Sequence, residues 1–295
     1  MAERPYVDGP PGAAADVWAA ARAAAAHWEL RPPVLVRLGM NGIFNAGGVV
    51  IRVGRVTADP AAAIELAALL GAIGVRVPQP ARPDAVPVGP LTATAWERLE
   101  LVATDPDWAA VGAMVRRVHE LPVERVPVGY PVPRGADFAW WRFDDLLDEV
   151  ADVLDDEARH GLTATIERHR GWADDATEVV CHGDVHPGNV AMTPEGAVLV
   201  DWDLLCRAPV GWDHAMLLRL PRWGWPAAWY DAFADGYGRS LRDDPTATAL
   251  AELRLVAATL MRLRAGRSDV GAMPEARRRL AYWRGDPDAP VWRAQ

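Results

Sequence analysis

The stretch from His182 to Asp203 constrains this chain most. It comprises HGDVHPGN at 182–189, two short β-type runs within 190–200 joined by TPEG at 193–196, and DWD at 201–203. Asp184 and Asn189 stand five positions apart, and Asp201 follows Asn189 by twelve. Two antiparallel strands joined by a tight turn return a chain to its starting point, so the spacing predicts Asp201 beside Asn189. An amide oxygen and a carboxylate then face one small volume. Such hard oxygen ligands suit Mg²⁺, which takes a few protein oxygens and completes its shell with phosphate and water. Asp184 is left to meet a substrate hydroxyl, and in phosphoryl transfer a protein mainly positions reactants and neutralises charge.

Around this stretch the pattern changes along the chain. Residues 13–29 read as an Ala-rich leading helix, followed by β-type runs at 34–38 and 48–53 with GMNGIFNAGG as a long loop between them. A helix is expected over 61–73, with Asp59 and Pro60 as cap and first-turn residue, and further strands over 86–88 and 91–96. From Trp108 the periodicity is mostly helical: 108–119, 144–155, 162–174, 226–241, 246–263 and 274–284.

HGDxxxxN followed by DWD resembles the aminoglycoside phosphotransferase and choline kinase family, relatives of protein kinases in fold. The resemblance implies an α+β, protein-kinase-like fold of two lobes. Residues 1–97 would form a small antiparallel-sheet lobe with one helix that binds nucleotide, and 98–295 a larger, mainly helical lobe. It makes Asp184 the catalytic residue and Asn189 and Asp201 the Mg²⁺ ligands. His182 becomes a structural member of the catalytic loop, Asp203 a support for the metal site, and Asp213, in GWDHAMLL, the acid that braces the loop.

The donor would be ATP or GTP, held at Gly39, Asn41 and Gly42, where small residues let backbone N–H groups approach phosphate. Kinase-like enzymes pair a basic strand residue with a glutamate on the next helix. Arg52 and Glu65 fill those positions in a chain whose 31 basic residues are all arginine. The segment AWERLE, 95–100, is the expected hinge, where the backbone at Glu97 and Leu99 would bind the purine.

Only eleven residues separate Asp201 from Asp213, too few for a peptide-cradling segment, so a small-molecule acceptor is expected, such as an aminoglycoside-like antibiotic or an amino sugar. His186, Trp212 and Trp225 are the acceptor-site candidates, since aromatic faces stack on sugar rings and hold cations. A net charge of -9 argues against nucleic acid, which needs a basic face. The absence of a bilayer-length apolar run or signal-like N-terminus, with only two cysteines, predicts a cytoplasmic protein without a membrane partner. Two other readings of the same acids are a nucleotide-binding pseudokinase and a metal-dependent hydrolase. The latter lacks the further His and carboxylate ligands of a two-metal site.

Overall fold

A computed structural model describes residues 10–173, 176–269 and 271–293. In chain order the elements are α1 (Ala14–His27), β1 (Val34–Leu38), β2 (Gly42–Asn45), β3 (Val49–Arg55), α2 (Pro60–Ala72), β4 (Val86–Val88), β5 (Leu91–Glu97) and α3 (Trp108–His119). Then follow α4 (Phe143–Glu149), α5 (Asp156–Arg168), β6 (Glu178–Cys181), β7 (Val190–Thr193), β8 (Gly196–Leu199) and β9 (Cys206–Pro209). The last are α6 (Gly211–Leu218), α7 (Ala228–Tyr237), α8 (Pro245–Ser268) and α9 (Met273–Trp283). The fold is α+β, as expected. Helix α5 starts and ends earlier than the periodicity over 162–174 implies, and Asp174 lies outside the described residues.

Two compact units interleave in sequence: residues 1–107, 120–133 and 187–203 form one, and 108–119, 134–186 and 204–295 the other. They divide the chain differently from the expected lobes 1–97 and 98–295. The reason is the β7–β8 hairpin, which hydrogen-bonds into the first unit: Leu199 N–H to Arg76 O at 2.9 Å and Val102 N–H to Met192 O at 2.9 Å.

The first unit is built on an antiparallel sheet in the order β1-β2-β3-β5-β4. Strand β2 lies where the Gly- and Asn-rich run suggests only loop. Its alternation decides the matter: Phe44 is fully buried between half-buried neighbours. Burying Phe44 contributes about 1.5–3 kcal/mol. Gly42 is required because a Cβ there would collide with Val17 of α1 and with the Phe44 ring. Helix α1 presents Val17, Ala20, Ala21, Ala24 and Ala25 at helical spacing to Ile51, Val53, Ala93 and Ala95, and its small side chains let it sit close to the strands. Helix α2 starts where expected, with the Asp59 carboxylate accepting from Ala61 N–H at 3.0 Å and Pro60 in the first turn.

In the second unit α3 packs on α7 and α6 on α8, around the antiparallel pair β6–β9. That pair sets Cys181 opposite Cys206, and both are buried free thiols. Strand β9 and helix α6 were not evident in the periodicity, because each is short: four residues, CRAP, and eight, GWDHAMLL. Among the described residues, no helix is long and apolar enough to cross a membrane.

Candidate active site

The HGDVHPGN motif is divided between the units, its residues through His186 belonging to the second and those from Pro187 to the first. In the first unit, the β7–β8 ladder pairs Val190 with Leu199, and Val200 N–H donates to Asn189 O at 3.0 Å. The hairpin thereby returns the chain to Asn189, as its spacing implied. Asp201 follows at φ 63°, a left-handed conformation rare for a residue with a side chain, and its carboxylate is exposed. Strain of this kind persists only where the surroundings over-determine it, and it concentrates at functional sites.

Asn189 and Asp201 line a cavity of about 1070 Å³ together with Asn41, Arg52 and Asp203, and with the β5 end at Glu97 and Leu99. Arg52 enters from β3, in register with Ile43 and Thr94. Its guanidinium pairs with the Asp203 carboxylate, each side chain about one-third exposed. Burial works against the Arg52 charge, but Asp203, Asp201 and Tyr130 outweigh it and raise the pKa. Tyr130 also donates its hydroxyl proton to Trp202 O at 2.8 Å, tying the DWD turn to the segment at 120–133.

Three donor-side expectations are corrected here. Glu65 does not meet Arg52: it projects from the exposed face of α2, while Ala63, Leu66 and Ala67 of that helix face the cavity. Arg52 pairs with Asp203 instead. Gly42 faces α1 rather than the cavity, so its missing side chain serves packing. Gly39 does not line the cavity, and its N–H is taken by Asn41 O at 3.1 Å.

In the second unit, Asp184 sits on a loop whose backbone is fixed from several sides. Asp213 of α6 is buried and accepts from the N–H groups of His182 and Gly183, both at 2.8 Å, and lies 3.0 Å from His119 Nε2. Burial would raise the Asp213 pKa; His119, His182 and the Gly183 N–H lower it overall. Gly183 adopts φ 93°, and a side chain there would run into Leu204 O. Its carbonyl accepts from Trp212 Nε1 at 3.2 Å and from the Arg254 guanidinium. His182, fully buried, accepts from Asp184 N–H through Nδ1 at 3.2 Å.

The Asp184 carboxylate is about 29% exposed, with His186 Nε2 3.3 Å from Oδ2 and Arg254 Nη1 3.7 Å from Oδ1. Burial pushes its pKa up, but His186, Arg254 and His182 reverse this and hold it well below the usual carboxylate range. Such a carboxylate stays ionised and acts by orienting a hydroxyl more than by pulling hard on its proton.

Trp212 needs correction as an acceptor contact. It is 1% exposed, packed against Trp140, Trp141 and Trp172 with ring centroids 4.6–5.8 Å apart, and offers no face to a ligand. Trp225 is half-buried and stacks on Trp223 near the C-terminal residues. Arg254 and Tyr130 were not anticipated. The signal for Arg254 was present, a lone cation inside the apolar run LRLVAATL of α8. Tyr130 sits in the Pro-rich loop VPVGYPVPRG, which carries no periodic signal.

A model of the phosphotransferase enzyme family matches residues 49–256. A search of curated protein sequences finds no match. Among solved structures, the chain is similar to an amicoumacin kinase bound to AMP-PNP and Ca²⁺, at 13% identity, TM-score 0.66, covering 92% of this chain and 94% of that one. It is also similar to a spectinomycin phosphotransferase bound to ADP and spectinomycin, at 13% identity, TM-score 0.62 and coverages of 88% and 90%. A third is a choline/ethanolamine kinase family protein from Mesorhizobium loti, at 17% identity, TM-score 0.61 and coverages of 88% and 89%.

Proposed function

Since this chain belongs to the phosphotransferase enzyme family, we propose that it transfers the γ-phosphate of ATP or GTP to a hydroxyl of a small molecule in the cytoplasm, with Mg²⁺ as cofactor. One observation carries the reading. A single cavity of about 1070 Å³ is lined by a strand cation, Arg52, by the oxygen donors Asn189 and Asp201, and by Glu97 and Leu99 at and just past the end of β5. That inventory matches the parts of a nucleoside triphosphate: phosphates, metal and base.

The donor set fits Mg²⁺, since an amide oxygen and an exposed carboxylate are hard ligands that leave most positions to phosphate and water. Asn189 and Asp201 would hold it, and bound there it neutralises charge on the donor phosphates. Arg52 binds phosphate oxygens from the sheet side; its fork is already planar and oriented by Asp203. Asp184 hydrogen-bonds the acceptor hydroxyl and aims its oxygen at the γ-phosphorus. As the new P–O bond forms, the bond from phosphorus to the β,γ-bridging oxygen breaks, the nucleoside diphosphate keeps that oxygen's electron pair, and the hydroxyl proton passes to Asp184.

The acceptor class we favour is an aminoglycoside-like antibiotic or an amino sugar. The amicoumacin, spectinomycin and choline/ethanolamine kinase-family neighbours make a hydroxylated, often cationic molecule the natural first probe. The test is ADP or GDP formation with Mg²⁺ across a panel of spectinomycin, streptomycin, glucosamine and choline, comparing wild type with Asp184→Asn. Acceptor-dependent release that vanishes in the variant supports the reading. Tight nucleotide binding with no release for any acceptor favours a pseudokinase, and phosphate release from monoesters without nucleotide favours a hydrolase.

A further inference from the structure

Arg254 is a buried charge of the second unit. Its side chain is 8% exposed, on a helix whose neighbouring residues Leu253, Leu255 and Val256 are all buried. Desolvating a guanidinium is costly unless several partners replace water. Here the partners are specific. The Trp140 and Trp212 rings lie 4.8 Å and 5.1 Å from the guanidinium carbon. One terminal nitrogen, Nη2, donates to Gly183 O. The other, Nη1, reaches Oδ1 of Asp184 at 3.7 Å.

We propose that Arg254 is a positioning residue for phosphoryl transfer, fixing the Asp184 carboxylate by anchoring Oδ1 and the preceding peptide carbonyl with the two ends of one guanidinium packed beside two adjoining indole rings. This rests on the reading of Asp184 given above. The geometry separates the two carboxylate oxygens: Oδ1 faces the buried arginine and Oδ2 faces His186 and the more open side. A carboxylate free to rotate would present either oxygen to an acceptor; one held at Oδ1 presents Oδ2, the oxygen beside His186. Because the same guanidinium grips the carbonyl joined to Asp184, rotation of the side chain and of the peptide before it are restrained together. A planar fork packed beside two adjoining rings can do this. An ammonium, a single point of charge, must choose between the carbonyl and the carboxylate.

Asp213 restrains the N–H side of the same loop, and Trp212 shares the Gly183 carbonyl. Arg254 is thus the element of the clamp that touches both the backbone and the reacting side chain. A purely structural arginine would satisfy its charge on carbonyls or on a non-reacting acid, as Arg279 does with Ala258 O, Arg293 O and Glu275.

The experiment is steady-state MgATP turnover with whichever of spectinomycin, streptomycin, glucosamine or choline gives the fastest ADP release, for wild type, Arg254→Met, Arg254→Lys, Asp184→Asn and the double variant. Expected for Arg254→Met is a fall in kcat of ~10–100-fold with the KM for ATP within about twofold of wild type. Arg254→Lys should recover part of the loss. On the Asp184→Asn background, Arg254→Met should add little, because both changes remove one function. Full additivity in that cycle, or wild-type kcat in a folded Arg254→Met, overturns the proposal. If Arg254→Met does not fold, Arg254→Lys decides: wild-type kcat overturns it, and a lower kcat at unchanged KM supports it. Loss of the underlying reading would look different, since Asp184→Asn would then keep wild-type turnover.

Discussion

The loop carrying Asp184 and the cavity carrying Arg52 solve opposite physical problems. The loop is held by buried polar groups whose partners are all protein: Asp213 on two N–H groups, Trp212 and Arg254 on one carbonyl, His182 on the next N–H. The cavity holds its charges at side chains about one-third exposed, where Arg52 and Asp203 face each other, and at the exposed residue Asp201. One region spends buried hydrogen bonds to fix a backbone shape, and the other keeps its charges reachable. Substitutions in the loop should therefore register in stability and in the chemical step. Substitutions in the cavity should register in nucleotide binding, with little effect on stability.

The sharpest break of that contrast is Asp184→Asn, which keeps the size of the side chain and removes its negative charge. Turnover should fall by ~10²–10⁴-fold, measured as acceptor-dependent ADP release, with the thermal midpoint somewhat lower, since the fold favours the ionised carboxylate. A variant that retains more than a tenth of the activity would remove the loop's claim to the chemical step. Next in size is Asp213→Ala, in which two buried N–H groups lose their acceptor. Stability should drop by ~3–5 kcal/mol in urea denaturation. A drop under ~1 kcal/mol would mean that the loop is not held as its contacts imply.

The two regions also differ in how much could be read from the chain. Asp184, Asn189 and Asp201 were legible because HGDVHPGN and DWD are local signals, separated by a hairpin that the TPEG turn announces. The partner of Arg52 was not. A strand fixes which residues share a face, and the expected helix was found at Pro60–Ala72, but one turn of helix decides whether Glu65 points inward or out. Its 3.6-residue period turns Glu65 to solvent, and Asp203 arrives from a segment 151 residues away. Arg254 and the burial of Trp212 were hidden for a similar reason. Both depend on tertiary contacts between α6, α8 and the aromatic run at 138–141, which carry no fixed sequence spacing. The extra strand β2 was missed because glycine reads as loop, although here it marks the close approach of α1.

A pH measurement sharpens the contrast at the buried end. His214, on the same helix as Asp213, is fully buried, and burial together with His119 lowers its pKa from 6.5 to about 3. A base whose folded pKa is depressed binds its proton more readily when unfolded. Its contribution to stability is complete above the unfolded value of 6.5 and is lost as pH falls from there toward 3. The unfolding free energy should therefore decline below pH 6.5, by at most ~1.4 kcal/mol per pH unit from this group. His214→Phe should flatten the decline between pH 6.5 and 5. Unchanged slopes in wild type and variant would show that the buried network does not exclude the proton.

The smallest expected effects belong to the cavity, and they test whether Asp203 has replaced the helix glutamate. Arg52→Gln should raise the KM for ATP several-fold, because a phosphate contact worth ~1–2 kcal/mol is lost. Asp203→Asn should raise it less, by releasing Arg52 from one orientation while leaving its charge. Glu65→Gln should change it by less than about twofold, since Glu65 is exposed and has no contact with Arg52. A double-mutant cycle between Arg52 and Asp203 should give a coupling of ~0.5–1 kcal/mol in stability, the range for a partly exposed pair. If instead Glu65→Gln and Arg52→Gln raise KM equally, with no further rise in the double variant, then nucleotide binding rotates α2 inward and rebuilds the kinase-like pair. The Arg52–Asp203 contact would then belong to the empty cavity alone, and the open region would be the one that changes shape during turnover.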